Sequence, residues 1–366
     1  MKREIRILMV LFLILSIPAI VLVGCSGSSG GGGTTSPTTT PTATTTPTTT
    51  PTPTPTSTGL NVITYDQSQA YNGYTLFPYS GNGPRVVQVD MQGNVVWEYV
   101  LPADVSSYTQ PGFDAELLDN GNILIVLPGY GIREIDGSGN VIWEHLDKKV
   151  SHDADRLSNG NTVYNFGNND TVDDAQTKEV DYQGNLVWSW FAGEDYYKDP
   201  YIGIWDGGWT HANAVTRMSN GNTLVSLRNF NLTTEVDSNG DVVWEFDWSI
   251  FGETVDPHEP KILANNHLIV ALQHDSPYIG VEIDRTTGET VWTYARENMR
   301  TTRDANRLPN GNTLFVSVRT DLHESTMFEV TPDGTIVWEM LASGIDVSNS
   351  PGVFFKVQRL TSVISK

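Results

Sequence analysis

The sequence predicts an all-β chain, a six-bladed β-propeller with four-stranded blades whose ring is closed by the C-terminal strand. Three observations carry this. A motif ending in tryptophan, Asp-x-x-Gly-x-Val-Val-Trp-Glu in its fullest form, comes six times, at Trp97, Trp143, Trp188, Trp244, Trp292 and Trp338. The spacings are 46, 45, 56, 48 and 46 residues. An apolar–turn–apolar element, mostly built on Asn-Gly-Asn, precedes each of the last five tryptophans, and no helical period occurs between them. Repeats of about 45 residues with four short strands are propeller blades.

The chain opens on a basic start (Lys2, Arg3, Arg6), an apolar run from Ile7 to Val23, and then Gly24-Cys25. This pattern is a lipoprotein signal peptide over 1–25, with Cys25 as the residue to be lipidated. The expected location is therefore an exported one, at a cell surface or facing a periplasm, anchored to the membrane by lipid. Residues 26–58 are Ser/Gly and then Thr/Pro repeats. They lack the apolar content that would offset the entropy of ordering, so a disordered, semi-extended stalk is expected.

The propeller is expected over 59–366. Its first unit, Tyr74 to Val100, lacks an opening strand, and the C-terminal "VFFKVQRL" supplies one. Pairing it there leaves no long open edge. The hairpins "DAELLDNGNILIV", "DADRLSNGNTVY", "NAVTRMSNGNTLVSL", "EPKILANNHLIVAL" and "DANRLPNGNTLFVSV" open the other five units. The Asn-Gly pairs in four of them, and Asn265-Asn266 in the other, tolerate the positive φ of a tight turn. The repeat tryptophans are expected to pack between blades, since a residue present in every copy serves the scaffold. An insertion, Phe191 to Trp209, explains the one long spacing. Its density of Tyr and Trp suits either a loop over a flat ligand or a cap with its own small core.

Composition excludes several functions. Cys25 is the only cysteine, so the folded part holds no disulfide, thiolate metal site or thiol nucleophile. The formal charge is −21; removing the +2 of residues 1–25 (Lys2, Arg3 and Arg6 against Glu4) leaves −23. Such a surface repels nucleic acid, and an anionic ligand needs local positive charge to be drawn in.

That charge gathers at one variable position. Where each unit's innermost strand begins, at a mouth of the channel, the copies read Phe113, His152, His211, His258 and Arg303, with Phe355 in the closing strand. One strand on, Arg228, Gln273 (beside His274) and Arg319 form a second channel position. His211, Asn213 and Arg228 belong to one blade and could face one ligand. An arginine fork with histidine donors suits a tetrahedral oxyanion. Three histidines could also ligate zinc, but they lie one blade apart with no His-x-His pair, which argues against a metal. Asp153, Glu259 and Asp304, each just after the variable position, are expected to hydrogen-bond neighbouring strands or orient the rings. His145, His267 and His323 fall on outer strands or turns and read as surface residues.

The strand "WTHANAV…VSLRN", a Trp-x-His-x-Asn unit with an arginine about 18 residues on, resembles the aryl-sulfate sulfotransferases. The likeness extends over about residues 60–366 through the alternating Asn-Gly-Asn and Val-Trp-Glu strands. It implies an exported six-bladed propeller that uses no nucleotide sulfate donor and no cofactor. A channel histidine would take a sulfuryl group from a phenolic sulfate ester and pass it to a phenol. By chain order His258 matches that nucleophile. His152, His211 and Arg228 match the groups that bind sulfate oxygens and protonate the leaving phenol. Trp209, Asn213, Arg303 and Arg319 are the expected substrate-binding residues. "EIDRTTGETVWTY" also resembles quinoprotein-like propellers, including lipoproteins of outer-membrane assembly, which leaves a non-catalytic surface scaffold as the alternative.

Overall fold

The computed structural model describes residues 59–366. The signal peptide, lipidation of Cys25 and the stalk lie outside the described residues. Six antiparallel sheets follow one another along the chain, as the repeats require. Their innermost strands are Gln358–Leu360 in blade 1, Asp114–Leu117 in blade 2, Ala154–Arg156 in blade 3, Ala212–Arg217 in blade 4, Pro257–Ile262 in blade 5 and Met299–Arg307 in blade 6.

Closure uses both ends of the described chain. Gln358–Leu360 pairs with Tyr74–Tyr79 through Tyr74↔Leu360, Thr75↔Arg359 and Leu76↔Gln358. The expected eight-residue closing strand is cut short, leaving one further bridge at Tyr79↔Phe354. Leu60–Tyr65 adds an outer fifth strand to blade 6, paired with Ile336–Ala342. That blade thus has the expected four strands and one more. The segment lies outside the repeat, so repeat counting could not place it. Each closure covers an edge that would otherwise be open.

The hairpin turns are three-residue loops with a left-handed glycine after a type I turn. Leu118 N–H donates to Asn122 O, Gly121 N–H donates to Leu118 O, and Gly121 has φ +84°. Asn266 (φ 65°) takes that place in blade 5. The asparagine after the glycine has a second task. Asn122 Nδ2 donates to Glu134 (2.6 Å), Asn161 Nδ2 to Glu179 (2.6 Å) and Asn312 Nδ2 to Glu329 (2.6 Å). Each glutamate also pairs with an arginine of the following blade: Arg156–Glu134 at 2.8 Å, Arg217–Glu179 at 2.7 Å, Arg359–Glu329 at 3.3 Å.

Those arginines lie over the repeat tryptophans, Arg156 at 4.2 Å from the Trp143 ring centre and Arg359 at 4.8 Å from that of Trp338. The indoles reach back across the seam, Trp143 Nε1–H to Tyr182 O (2.8 Å) and Trp338 Nε1–H to Met91 O (3.0 Å). Turn, ion pair and indole are thus one repeated seam, and it holds the inner strands at fixed angles around the channel. His145 and His267 belong to such seams, half-buried against Tyr164 (3.2 Å) and Glu282 (2.7 Å), whereas His323 is exposed.

Candidate active site

The variable residues meet at the channel. His152 and His211 face each other, Nε2 to Nε2 at 3.1 Å, with ring centres 4.8 Å apart. The Phe355 ring lies 5.8 Å from His152 and 6.4 Å from His258, and the Arg303 guanidinium sits 5.1 Å above it. His152, His258 and Arg303 are 2, 3 and 7% exposed, which makes this a dry cluster. Phe113 does not join it; its ring packs with Leu76 and Trp97 between blades 1 and 2.

The backbone is bent to present these side chains. His152 (φ 70°), His211 (φ 48°), Asp256 (φ 50°), Glu259 (φ 49°) and Thr301 (φ 55°) are left-handed, and Thr301 is β-branched. The inner strands of blades 4, 5 and 6 shift register at Ala212/Ala214, His258/Lys261 and Arg300/Asp304. Such bulges re-aim side chains, and strain of this kind gathers at functional sites. Gly112 approaches His152 so closely that a Cβ there would meet the His152 Cα at 2.4 Å.

Hydrogen bonds fix where the ring protons sit. His258 Nδ1 lies 3.0 Å from Asp256 O, and a carbonyl only accepts, so Nδ1 carries the proton and Nε2 keeps its lone pair. Asn213 Nδ2 (3.1 Å) and Ser226 Oγ (2.9 Å) both donate to Pro257 O and pin the backbone one residue before His258. By the same reasoning His211 Nδ1–H donates to Asp206 O (2.9 Å). A neutral pair then has His152 Nε2–H donating to His211, leaving His152 Nδ1, which is buried without a partner.

Burial first, then the Arg228 charge, holds His258 well below its ordinary 6.5. The same two causes bring His211 down to about 4. Burial, then the neighbouring imidazoles, also lowers His152. A nucleophile acts deprotonated, and a depressed pKa delays its protonation to lower pH. The acid limb of kcat/KM should therefore lie well below pH 6.5, and a fall centred at or above 6.5 would contradict this arrangement.

The two arginines differ from expectation. Arg228 is neutralised: its Nη2 lies 2.8 Å from Asp256 Oδ2 and 2.9 Å from Asp206 Oδ2. Burial works against the Asp256 charge, but the His274 hydrogen bond (2.8 Å) and Arg228 outweigh it and hold that carboxyl below its ordinary value. Arg303 has no ion-pair partner among the described residues, and its buried Nε is unpartnered. Burial, then repulsion from Arg228 and Arg300, brings it down to about 9, still cationic at neutral pH. Arg303 is the cation left available to an anion.

Two expected substrate residues lie elsewhere. Trp209 is 4% exposed in the insertion's own core, 5.1 Å from Phe230, with its indole N–H given to Tyr201 O. Arg319 is held by both oxygens of Asp321, at 3.0 and 2.6 Å, and by Glu339. Trp209 follows from the Trp-x-His-x-Asn motif and Arg319 from its strand position, and neither shows where a neighbouring loop supplies a partner.

A charged layer adjoining the cluster was also missed. Lys356, buried beside Phe355, pairs with Asp114 (3.1 Å), Asp153 (2.5 Å) and Glu259 (2.9 Å) from blades 2, 3 and 5. Lys261 pairs with Asp304 at 2.7 Å. The acidic residues after the variable position thus bind two lysines in a cavity of about 230 Å³, and, as expected, Asp153 and Asp304 also accept from backbone N–H groups of neighbouring segments, Val215 (2.6 Å) and Val357 (3.0 Å). A signal existed: the closing strand reads Phe-Lys where blades 3, 5 and 6 read His-Asp, His-Glu and Arg-Asp.

Comparison with known proteins gives three findings. The model of the family described as Arylsulfotransferase (ASST) matches residues 50–247. No curated protein matches. Among solved structures, a protein of unknown function from Bacteroides caccae is similar at 16% identity and TM-score 0.54, covering 78% of this chain and 98% of that chain. Virginiamycin B lyase from Staphylococcus aureus follows at 13% identity and TM-score 0.47, covering 76% of this chain and 87% of that chain. The first likeness shows the propeller fold alone; the second is too distant to carry an argument.

Proposed function

The chain belongs to the arylsulfotransferase family, and on that premise we propose that it moves a sulfuryl group from a phenolic sulfate ester to a phenol through a sulfohistidine at His258. The observation that carries this is the His258 ring itself. Its Nδ1 proton is committed to Asp256 O, and its Nε2 lone pair is kept unprotonated beside the unpaired Arg303 guanidinium.

In the first half-reaction the Nε2 lone pair attacks sulfur. The sulfur–oxygen ester bond breaks, and its electron pair leaves with the phenolate oxygen. Sulfuryl transfer resembles phosphoryl transfer in spreading charge over three equatorial oxygens. Arg303 meets that charge in a dry site, where one such donor is typically worth about 3 kcal/mol. In the second half-reaction the acceptor oxygen attacks sulfur, the nitrogen–sulfur bond breaks, and His258 regains its lone pair. The acceptor's proton passes to the His152–His211 pair, whose free acceptor is His152 Nδ1. From there it reaches the departed phenolate through water, so the exchange balances.

The test is intact-protein mass spectrometry after mixing with nitrophenyl sulfate in the absence of an acceptor. One added, acid-labile sulfuryl group, lost again when a phenol is supplied, is the expected result. An unmodified mass while nitrophenol is released would exclude the covalent route.

We further propose, from the Gly24-Cys25 signal pattern, that the propeller lies outside the cytoplasm, held to a membrane by lipid on Cys25 through the Thr/Pro stalk. Cys25→Ala should move the protein from the membrane fraction to the soluble one. Continued membrane retention would point to an uncleaved anchor instead.

A further inference from the structure

Beside the histidine cluster lies a second cavity, of about 400 Å³, between the insertion and the loops of blades 4 and 5. That volume is within the range that takes a small organic ligand. Its aromatic wall is Tyr201, Trp205 and Phe230, and its carboxylates are Asp206, Asp247, Glu253 and Asp256; no lysine or arginine lines it. Tyr201 and Phe230 are packed on each other at 4.6 Å, whereas Trp205 stands 58% exposed. The cavity touches the reaction centre through two residues. Asp206 O holds the His211 ring and Asp256 O holds the His258 ring, and both residues line the cavity.

The carboxylates are not equivalent. Asp206 and Asp256 share the single charge of Arg228. One oxygen of Asp247 is taken by Ser249 N–H (2.8 Å). Glu253 has no side-chain partner among the described residues. An uncompensated carboxylate lining the same cavity as an open indole is the combination that binds an organic ammonium, by Coulomb attraction and by the ring's negative face. A carboxylate-bearing ligand would meet like charge there.

Resting on the sulfuryl-transfer reading, we propose that this cavity receives the end of the acceptor remote from its hydroxyl and selects phenols that carry a cationic group there. The insertion is then a specificity element. Its buried aromatics form a rigid base, and Trp205 and Asp206 are the part presented to the acceptor.

The experiment compares tyramine, para-ethylphenol and para-hydroxyphenylacetate as acceptors from nitrophenyl sulfate at low ionic strength. Tyramine should have a KM about ten-fold below that of para-hydroxyphenylacetate, the size expected of a partly exposed ion pair gained against one repelled. The ratio should shrink in high salt, in Glu253→Gln and in Trp205→Ala. A wild-type ratio near one, or a ratio unmoved by Glu253→Gln, overturns the proposal while leaving sulfuryl transfer intact. Should none of the three phenols be sulfated, the reaction assignment fails, and calorimetric titration of the same protein tests the cavity on its own. Tyramine binding that weakens in Glu253→Gln supports it; equal binding of the two charged phenols, or binding of neither, overturns it.

Discussion

In His258→Ala, transfer of a sulfuryl group from nitrophenyl sulfate to a second phenol is expected to fall by at least about 1,000-fold, because the ring that would carry the covalent intermediate is gone. The loss should appear in kcat more than in KM. Arg303 and the His152–His211 pair remain, so the donor still has its cation and its polar contacts. The fold should survive: the inner strand is held by its ladder with His267–Leu272, and the His258 ring makes one hydrogen bond, to a backbone carbonyl. Circular dichroism and the urea midpoint check that, and mass spectrometry should find no adduct. Turnover within ten-fold of the parent chain, with the fold intact, would remove His258 from the nucleophile's place.

Lys356→Met should cost roughly 3–5 kcal/mol of stability, the range for removing one partner from a buried ion cluster. Asp114, Asp153 and Glu259 would be left without their shared cation. Burial alone would lower the Lys356 pKa, but the three carboxylates hold it well above its ordinary value, so it is charged throughout the working range. Burial has already pushed Asp114 up to about 6 and Glu259 well above its ordinary value, against the pull of that lysine. The sign of the pH effect follows. Without the lysine these carboxylates ionise still less readily in the folded chain, while in the unfolded chain they ionise near pH 4. The deficit should be small at about pH 4 and grow as pH rises. Urea denaturation across that range reads it; a pH-independent deficit would mean that only packing was lost.

Much of this was legible from residue order. Six tryptophans at a near-constant period fix the blade number, because a four-stranded unit of that length cannot bury its faces alone. His152, His258 and Arg303 were found by reading down one column of the repeat, and all three touch Phe355, which stands in the same column of the closing strand. Lys356 could have been found likewise, since a lysine in a column of acids is visible without coordinates. Leu60–Tyr65 could not, because a strand that occurs once has no sister copy to align with.

Residue order by itself picked out the column that brings His152, His211, His258, Arg303 and Phe355 together, since in a closed ring of repeats equal positions in the sequence become equal positions around one axis, although Phe113 of that column packs between blades instead. Only the folded chain decided which of them are free to act. Arg228 and Arg303 look alike in the sequence, yet loop carboxylates from Asp206 and Asp256 cancel the first and leave the second bare. The His258 lone pair is likewise set by a carbonyl two residues away, through a left-handed bend at Asp256 that no pattern announces. Charge and proton position depend on distances of about 3 Å between segments that are remote or irregular in the chain, and a periodic sequence encodes its repeats, not those meetings.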